Sequence, residues 1–577
     1  MITPPPIIIA AAANGIFIAC IVVACLSPIA SARGSFQPPG PDAPALWPWP
    51  QHVDFGDGRA IPIDLDAFQL TCEVDNPCPI AMAEVLDYYT NHIKTSCNHP
   101  IPRNQQRESS SSSSSARRRG RTMAAADEED EQAVSIDAIT TCVTKLNTAS
   151  DNLTIDTNVT YEVIVSGSPF TYCQINADNM YGAIYAFQTI AQLCDTGGAS
   201  DGWAQAILEA NVTDFPRFPY RGFLIDTSRH FFPLDYIKRI IDAISMHRYN
   251  VLHWHIVDSQ SFPCGSDRFP LLSQQGAWHP RAIYQPEDMR ALVSYAKSRG
   301  VTIVPEFDVP GHGSWGAAYP TLMGCPTVLD PTQNATYDLL GNFLEEMVTI
   351  FPSEYIFLGG DEVNSSCWQE NPTIAKWMQM QGMTHDQLFD YFWQQVAVRV
   401  VPRLGGRRVG VWESDALDVN PALLPAGSFG NVWQHPKAMI PITDTGMPVV
   451  LSGPYYLDQE NPVTDDGPCS QYAWQETWRC MYGVEPLEGL NSTQAALVMG
   501  GEAAMWGEGV NHFSFETRVW PKASAVAERL WSAMGMNDAE AAKPRLMGHV
   551  CRLNHFGIRA SPIGPGFCIT DLIFPFH

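Results

Sequence analysis

Short apolar runs alternate with amphipathic helical patterns along the chain after Pro216. In one helical pattern, Asp235–Met246, isoleucines recur at spacings of three and four residues. Each apolar run is bounded by Gly, Asn or a charged residue, as is typical of strands that are buried on both faces of a parallel sheet. The eight runs are Gly222–Asp226, Val251–Val257, Thr302–Phe307, Tyr355–Gly360, Val409–Glu413, Phe429–Trp433, Pro448–Gly453 and Leu497–Met505.

The order of these elements predicts the fold class. A second helical pattern, Pro286–Arg299, begins with a proline that suits the first helical turn, and Met289, Leu292 and Ala296 belong to one apolar face. Eight buried strands alternating with helices over about 360 residues predict an α/β fold with a single (β/α)8 TIM barrel at 216–577. An open, doubly wound sheet of six strands is the alternative.

The preceding part of the chain has a different pattern. Helical stretches at Ile80–His92 and Tyr181–Leu193 flank a strand-like alternation at Tyr161–Val165, so residues 33–215 are predicted to form a small α+β domain. A low-complexity insert at about 103–132 interrupts it, with a serine run, an arginine cluster and an acidic run. Because this insert has almost no apolar residues, it is predicted to be a solvated loop, and a basic functional patch is the alternative.

The N-terminus indicates the compartment. Ile7–Leu26 is almost wholly apolar and is followed by the cleavage signal Ala30-Ser31-Ala32, so residues 1–32 are predicted to be a signal peptide. No Lys or Arg precedes the apolar stretch and its length approaches that of a membrane span, so an uncleaved anchor is the alternative. Both interpretations send the chain into the secretory pathway, to a lysosome or vacuole or to the extracellular space.

Sequons and cysteines agree with that route. Cleavage would remove Cys20 and Cys25 from the 15 cysteines, and the odd number remaining leaves at least one free or intermolecular thiol. Six N-x-S/T sequons are present, and glycosylation is predicted at all of them except Asn364. The predicted glycosylation sites are Asn152, Asn158, Asn211, Asn334 and Asn491.

Charge and composition exclude some classes of protein. With 61 Asp and Glu against 35 Lys and Arg, the formal net charge is −26, which argues against nucleic acid or an anionic membrane as the main partner. The apolar fraction of 45% and the charged fraction of 17% are those of a folded protein.

Polar and aromatic residues collect at the carboxyl ends of the predicted strands. In a TIM barrel these ends converge on the active site, because the βα loops meet there. Any one of these residues has an ordinary structural role as an alternative, but a set spread over eight strands favours a functional site. The set consists of Asp226, Arg229, His230, His255, Asp258, Glu306, Asp308, His312, Asp361, Glu362, Trp412, Trp433, Tyr456, Asp458, Trp506 and Glu508.

Carboxylates beside tryptophans suit a sugar substrate. Pyranose rings stack their C–H faces on indoles, and their hydroxyls bind to carboxylates and Arg. Glycosidic cleavage requires an acid for the leaving oxygen and negative charge near the anomeric carbon. The neighbouring carboxylates of Asp361 and Glu362 would raise one pKa and keep that group protonated, and the preceding Gly359-Gly360 lets the strand end approach a substrate.

Six motifs, in order, resemble the family 20 glycoside hydrolases, the β-N-acetylhexosaminidases, in their eukaryotic lysosomal and secreted form. The resemblance covers Phe218–Cys568, and the segment beginning Leu46-Trp47-Pro48 is similar to the small α+β domain of that family. The motifs are Arg221–His230, His253-Trp254-His255, Pro310-Gly311-His312, Leu358–Glu362, Gly501–Glu508 and Ala527–Trp531.

The resemblance implies a retaining exo-glycosidase that removes terminal β-linked N-acetylglucosamine or N-acetylgalactosamine by substrate-assisted catalysis. The 2-acetamido oxygen of the substrate would attack C1 and give an oxazolinium intermediate. Glu362 would be the acid and then the base, Asp361 would hold the acetamido N–H, and Tyr456 would bind the acetamido oxygen. No cofactor or metal is implied, and relatives are commonly dimers, so a homodimer is an expectation.

The resemblance also assigns supporting residues. Asp258 and His312 would orient Glu362, and Arg229 and Glu508 would hold sugar hydroxyls. Tyr220 and Phe357 stand where relatives often have His, although neither position takes part in the chemistry. The remaining expectations are Trp412, Trp433 and Trp506 around the acetamido group, Trp478 at the rim, an Asp458 that repels charged sugars, and disulfides Cys78–Cys142, Cys325–Cys367 and Cys551–Cys568.

Proximity alone suggests a further disulfide, Cys469–Cys480. Three alternatives to the glycosidase remain. A metal-dependent hydrolase could use His253 and His255, which face one side of a strand, with Asp258 and His312. A non-catalytic sugar-binding protein and a double-displacement glycosidase with Asp361 as nucleophile are the others.

Overall fold

The structure, a computed structural model, describes residues 39, 43–73, 78–98, 137–194, 205–413, 420–459, 473–566 and 568. The predicted signal peptide and the low-complexity insert lie outside these residues. None of the helices within them is long and apolar enough to cross a membrane.

Eight parallel strands close into a barrel after residue 219, as predicted, and each overlaps one of the eight apolar runs. Their side chains are buried on both faces because the barrel interior lies on one side and helices cover the other. The strands, in the order in which they pair around the barrel, are β10 (Val251–His255), β11 (Thr302–Glu306), β14 (Tyr355–Phe357), β15 (Arg408–Trp412), β16 (Phe429–Val432), β17 (Val449–Leu451), β18 (Val498–Met505) and β9 (Tyr220–Asp226).

Helices follow most of these strands, and both predicted helices of the barrel are present. The isoleucines of Leu234–Met246 face the core, and Pro286–Lys297 begins with a capping box between Gln285 and Asp288. The helices are α3 (Leu234–Met246), α4 (Pro270–Gly276), α5 (Pro286–Lys297), α6 (Asn334–Ile350), α7 (Cys367–Glu370), α8 (Pro372–Gln381), α9 (His385–Gln395), α10 (Met439–Asp444), α11 (Ala473–Gly483), α12 (Ser492–Ala495), α13 (Phe515–Val519), α14 (Lys522–Trp531) and α15 (Ala539–His555).

A six-stranded sheet and two helices, α1 (Met82–Cys97) and α2 (Met180–Cys194), precede the barrel. Helix α2 is buried along almost its whole length. The sheet order is β1 (His52–Asp54), β8 (Ala210–Asp214), β5 (Tyr161–Ser166), β6 (Tyr172–Ala177), β4 (Thr141–Leu146) and β3 (Gln69–Cys72); β2 (Ala60–Pro62) and β7 (Ala206–Leu208) form a separate pair, as do β12 (Met323–Cys325) and β13 (Val328–Leu329).

Asp214 joins the α+β region to the barrel. Its buried carboxylate forms an ion pair with Arg248 and accepts hydrogen bonds from Tyr161 Oη at 2.7 Å and Trp531 Nε1 at 3.0 Å. Because both charges are buried, loss of either partner would leave the other uncompensated. This cluster therefore fixes the last strand of the sheet against the base of the barrel.

Two expected disulfides are confirmed and one is wrong. Cys325–Cys367 and Cys551–Cys568 are bonded. Cys78 and Cys142 do not pair with each other, because Cys78 bonds Cys72 six residues away and Cys142 bonds the facing Cys173 on the adjacent strand β6.

The other cysteines complete the pattern. Cys97 bonds Cys194 and links the ends of α1 and α2. Cys480 is disulfide-bonded, and its expected partner Cys469 lies outside the described residues. Cys264 is a free, buried thiol, in line with the odd number of cysteines.

Candidate active site

A left-handed turn places the two adjacent carboxylates at the mouth of the barrel. After β14, Gly359, Gly360 and Glu362 have φ of 68°, 96° and 48°. A Cβ on Gly359 would lie 1.9 Å from the carboxylate of Asp308. The first glycine is therefore required by both its backbone conformation and its contact with a neighbouring strand end.

Glu362 is the outermost member of a chain of charged groups. Its side chain is 59% exposed, and one carboxylate oxygen lies 3.4 Å from His312 Nε2. His312 Nδ1 lies 3.2 Å from Asp258, which is buried and 2.8 Å from Arg229 Nη2. Although burial opposes it, hydrogen bonds from His255 and His312 hold the pKa of Asp258 well below its usual range. The structure thus brings together the expected supporting residues.

The chain continues into the barrel through His255. His255 Nε2 is 2.8 Å from Asp258 and its Nδ1 is 2.6 Å from Glu306 Oε2. Burial favours the neutral imidazole, but the charge of Glu306 and its hydrogen bonds prevail and raise the pKa of His255 to about 10. Glu306 Oε1 also accepts the indole N–H of Trp412 at 2.7 Å, so this carboxylate contacts both the charged chain and the tryptophan wall.

A second buried histidine lies beneath the first. His253 Nε2 is 3.1 Å from Glu306 and its Nδ1 is 3.0 Å from Glu502. Burial alone would lower the pKa of His253, but the two carboxylates have the larger effect and raise it to about 9. Tyr220 donates to the other oxygen of Glu502 at 2.7 Å, and Asn431 donates at 2.9 Å to the oxygen that faces His253. The ring nitrogens proposed as metal ligands are thus paired with carboxylates, which favours protonated histidines over a metal site.

Asp361 and Asp308 form an acidic pair beside Glu362. Burial and the charge of Glu306 raise the pKa of Asp361 to about 6, against the opposing charge of His312. Burial and the charge of Asp361 raise the pKa of Asp308, while the Gly360 N–H donates to it at 2.9 Å. Oδ1 of Asp361 is buried and has no hydrogen-bond partner among the described residues. The site therefore contains a fixed carboxylate oxygen that is available to a donor on a ligand.

Three tryptophans and a tyrosine form the walls next to Asp361. Trp412 and Trp506 have ring centroids 5.8 Å apart, and Tyr456 lies between Trp433 and Trp506 at 6.4 and 6.3 Å. Trp412 is 1% exposed, whereas Trp433 and Trp506 are only partly buried. Together these rings provide an apolar aromatic wall against which a methyl group can pack.

Acidic groups and an arginine line the other side. Arg229 lies over the Trp506 ring at 5.3 Å, and its Nη2 is 3.7 Å from Glu508, which is 63% exposed. Burial and the charge of Glu508 raise the pKa of Asp458 to about 6, and its buried Oδ1 has no partner in the described part of the chain. These groups can bind several hydroxyls.

The rim position expected for Trp478 is wrong. It lies on helix α11, and its side chain is 1% exposed in a cluster with Trp47, Tyr482 and Leu546. The helical sequence around Trp478 does not reveal which face is buried, because the covering residues come from distant segments. Trp478 belongs to the core that joins the N-terminal segment to the last helices.

Two buried acids of the site had no role from sequence reasoning. The sequence pattern places Glu306 at a strand end and Glu502 within a motif, without assigning a task to either. Their signal is a carboxylate inside an apolar strand, which needs a buried partner. Among the described residues, ligand atoms of His312, Asp361 and Glu362 lie within 4.8 Å of one another and could hold a cation, although these are the groups already assigned to sugar chemistry.

Comparison with known proteins identifies both regions. Residues 218–534 match "Glycosyl hydrolase family 20, catalytic domain", and residues 46–193 match "beta-acetyl hexosaminidase like". Beta-hexosaminidase subunit A1 of Dictyostelium discoideum is 34% identical over 437 residues, which cover 74% of this chain and 80% of that protein. Beta-hexosaminidase subunit beta of Homo sapiens is 38% identical over 412 residues, which cover 68% of this chain and 70% of that protein.

A solved structure supports the same relationship. The X-ray structure of the Flavobacterium johnsoniae chitobiase aligns with a TM-score of 0.72 and 26% sequence identity. The alignment covers 90% of this chain and 74% of that chain, so it includes the barrel and the preceding sheet.

Proposed function

The chain belongs to glycosyl hydrolase family 20. On that basis we propose a role for each site residue in the reaction of this family. The protein is a β-N-acetylhexosaminidase, a retaining exo-glycosidase that hydrolyses terminal β-linked N-acetylglucosamine or N-acetylgalactosamine by substrate-assisted catalysis.

The acetamido group would bind between Asp361 and the aromatic walls. The unpaired Oδ1 of Asp361 supports this placement most directly, because it offers a buried acceptor to the acetamido N–H. Its negative charge would stabilise the positive charge that develops on nitrogen as the acetamido oxygen attacks C1. Tyr456 would donate to that oxygen, and Trp412, Trp433 and Trp506 would enclose the methyl group.

Glu362 would transfer the proton in both steps. In the first step the C1–oxygen bond breaks, the acetamido oxygen bonds to C1, and Glu362 gives its proton to the leaving oxygen. In the second step Glu362 takes a proton from water, the water oxygen bonds to C1, and the acetamido group is released. Two inversions at C1 retain the β configuration. The exposure of Glu362 suits a group that meets both the leaving glycan and water.

His312 and Asp258 would orient Glu362 without contacting the sugar. His312 is 3.4 Å from Glu362 and 3.2 Å from Asp258, which in turn contacts Arg229. These contacts connect Arg229 to the acid without a gap. Arg229, Glu508 and Asp458 would hold the outer hydroxyls of the terminal sugar. An anionic sugar would meet the charge of Asp458, so we propose a preference for neutral substrates.

We propose that the protein enters the secretory pathway. The disulfides and the exposed sequon asparagines support the secretory pathway, and the acidic composition suits a lysosome, vacuole or extracellular space. The relatives are described as subunits, so we propose a homodimer. Sedimentation equilibrium giving a monomer mass at micromolar concentration would contradict that assembly.

Hydrolysis of 4-nitrophenyl β-N-acetylglucosaminide by the wild type and Glu362→Gln tests the central role. Loss of the acid and base should reduce kcat by about 10²–10⁴-fold. A stable thiazoline analogue of the bicyclic intermediate should inhibit the wild type more tightly than free N-acetylglucosamine. Equal rates for the two proteins, or a trapped glycosyl ester on Asp361, would overturn the assignment.

A further inference from the structure

Trp278 is an exposed tryptophan at the carboxyl end of the barrel. Its side chain is 58% exposed, in the loop between α4 and α5. Its indole N–H donates to the backbone carbonyl of Ser228 at 2.8 Å. Because Ser228 directly precedes Arg229, the ring is held in a fixed position beside the site while much of its surface remains open to solvent.

The loops around Trp278 are those that carry Arg229, Asp258 and His312. Ser228 Oγ donates to the carbonyl of Ser261 at 2.9 Å, three residues beyond Asp258. Gly276, two residues before Trp278, packs tightly on Phe262, where an added Cβ would lie 2.7 Å from the Phe262 Cβ. The same Cβ would be in ordinary contact, at 3.5 Å, with Ser314 Oγ, two residues beyond His312. The segment is therefore packed between the loops that contribute Arg229 and His312.

The established reaction leaves most of a glycan outside the pocket. An exo-glycosidase encloses only the terminal sugar, so the units beyond the cleaved bond must lie on the rim. An indole face stacks on the C–H face of a pyranose. This stacking removes the apolar surface of an exposed tryptophan from water, which stabilises the complex. A ring fixed at its edge by a hydrogen bond loses little freedom when a sugar binds.

We propose that Trp278 is a binding platform for a pyranose ring of the leaving glycan, outside the pocket for the cleaved sugar. The inference rests on the proposed function of the neighbouring site, because it takes the substrate to be a glycan that extends past Glu362. The platform would favour β-linked N-acetylglucosamine oligomers and glycan antennae over substrates with a small aglycone.

The test compares substrates of different length. For the wild type, Trp278→Ala and Trp278→Phe, kcat/KM is measured on 4-nitrophenyl β-N-acetylglucosaminide and on β-1,4-linked N-acetylglucosamine oligomers of two to five units. The ratio of pentamer to nitrophenyl kcat/KM should fall about 3- to 10-fold in Trp278→Ala through a higher KM, and by less in Trp278→Phe. Phe170→Ala is the control, because Phe170 is 78% exposed in a turn of the N-terminal sheet.

Binding without turnover gives a second measurement. Calorimetric titration of the pentamer into Glu362→Gln, with and without Trp278→Ala, should show the same 3- to 10-fold change in Kd. An unchanged ratio and Kd, or an equal fall in kcat on every substrate, would overturn the platform. If the proposed function failed instead, Glu362→Gln would cleave the nitrophenyl substrate like the wild type, and the two failures are therefore distinguishable.

Discussion

His312 Nε2 lies 3.4 Å from a carboxylate oxygen of Glu362, and the other ring nitrogen of His312 faces the buried carboxylate of Asp258 at 3.2 Å. The backbone at His312 has a φ of 43°, in the left-handed region that residues other than glycine seldom adopt. The exposed carboxylate of Glu362, the proposed acid, is thus joined to the barrel interior through one side chain in an unusual backbone conformation.

His312→Asn should lower kcat with little change in KM. Asparagine tolerates the positive φ but does not reach Glu362, so the acid loses its orientation. We expect kcat on an aryl glycoside to fall by up to about 100-fold. The loss should be smaller for better leaving groups, which depend less on protonation. His52→Asn, at an exposed position in β1, serves as the control, and an unchanged kcat in His312→Asn would contradict the role.

Glu306→Gln should destabilise the fold. Glu306 faces two histidines and Trp412, and removing one partner of a buried ionic cluster costs about 3–5 kcal/mol. Trp412→Phe, which removes one donor to Glu306 and part of a buried ring but leaves the charges in place, should cost less, about 1–3 kcal/mol. Denaturant unfolding at pH 6 measures both, and an equal or smaller loss in Glu306→Gln would contradict a stabilising role of the charges in the cluster.

The same cluster gives stability a defined pH dependence. The folded pKa values of His253 and His255 are about 9 and about 10, above the ordinary value of 6.5. Their contribution is fully present below pH 6.5 and is lost as the pH rises through 9 to 10. The wild type should therefore lose unfolding free energy between pH 6.5 and 10. Glu306→Gln should lose less, and parallel curves would contradict the linkage.

Asp458→Asn should widen the substrate range. The pKa of Asp458 is about 6, so its repulsion of a 6-sulfated sugar should be strong above pH 6 and should fade as the pH falls below it. In Asp458→Asn the ratio of sulfated to neutral kcat/KM should rise about tenfold at pH 7, equal to about 1.4 kcal/mol. The ratio should also lose its pH dependence. Asp390→Asn, at an exposed position on α9, should leave the ratio unchanged, and a low ratio in Asp458→Asn would exclude Asp458 as the source.

Gly359→Ala should disrupt the site and the fold together. The added Cβ would lie 1.9 Å from the Asp308 carboxylate, at a φ of 68°. Gly382 has the same φ with nothing within 4 Å of a Cβ, so Gly382→Ala isolates the backbone cost of about 1–2 kcal/mol. In urea unfolding, Gly359→Ala should lose at least about 2 kcal/mol more of unfolding free energy than Gly382→Ala. A similar loss for both variants would show that the Asp308 side chain moves away from the added methyl group at no cost in free energy.

Local sequence patterns were sufficient to predict those features whose physical cause lies within a short stretch of the chain. The eight apolar runs predict the strands because a strand buried on both faces must be apolar along its length, and their order predicts the barrel. The strand-end residues predict most of the site, because parallel strands bring their carboxyl ends to one face. Arg229, Asp258, His312, Asp361 and Glu362 therefore meet as expected.

Other features depend on neighbours that are distant in sequence. Trp478 is covered by residues from the N-terminal segment and the last helices, and the Cys142–Cys173 bond follows from the pairing of β4 with β6. The sequence by itself determined the strands, the barrel and the place of Asp361 and Glu362 at a strand end, since these follow from periodicity and from motifs at strand ends. Only the tertiary structure decided that Glu306 connects His255 to Trp412 and that Trp278 is exposed beside Arg229, because contacts and exposure are properties of packing between segments.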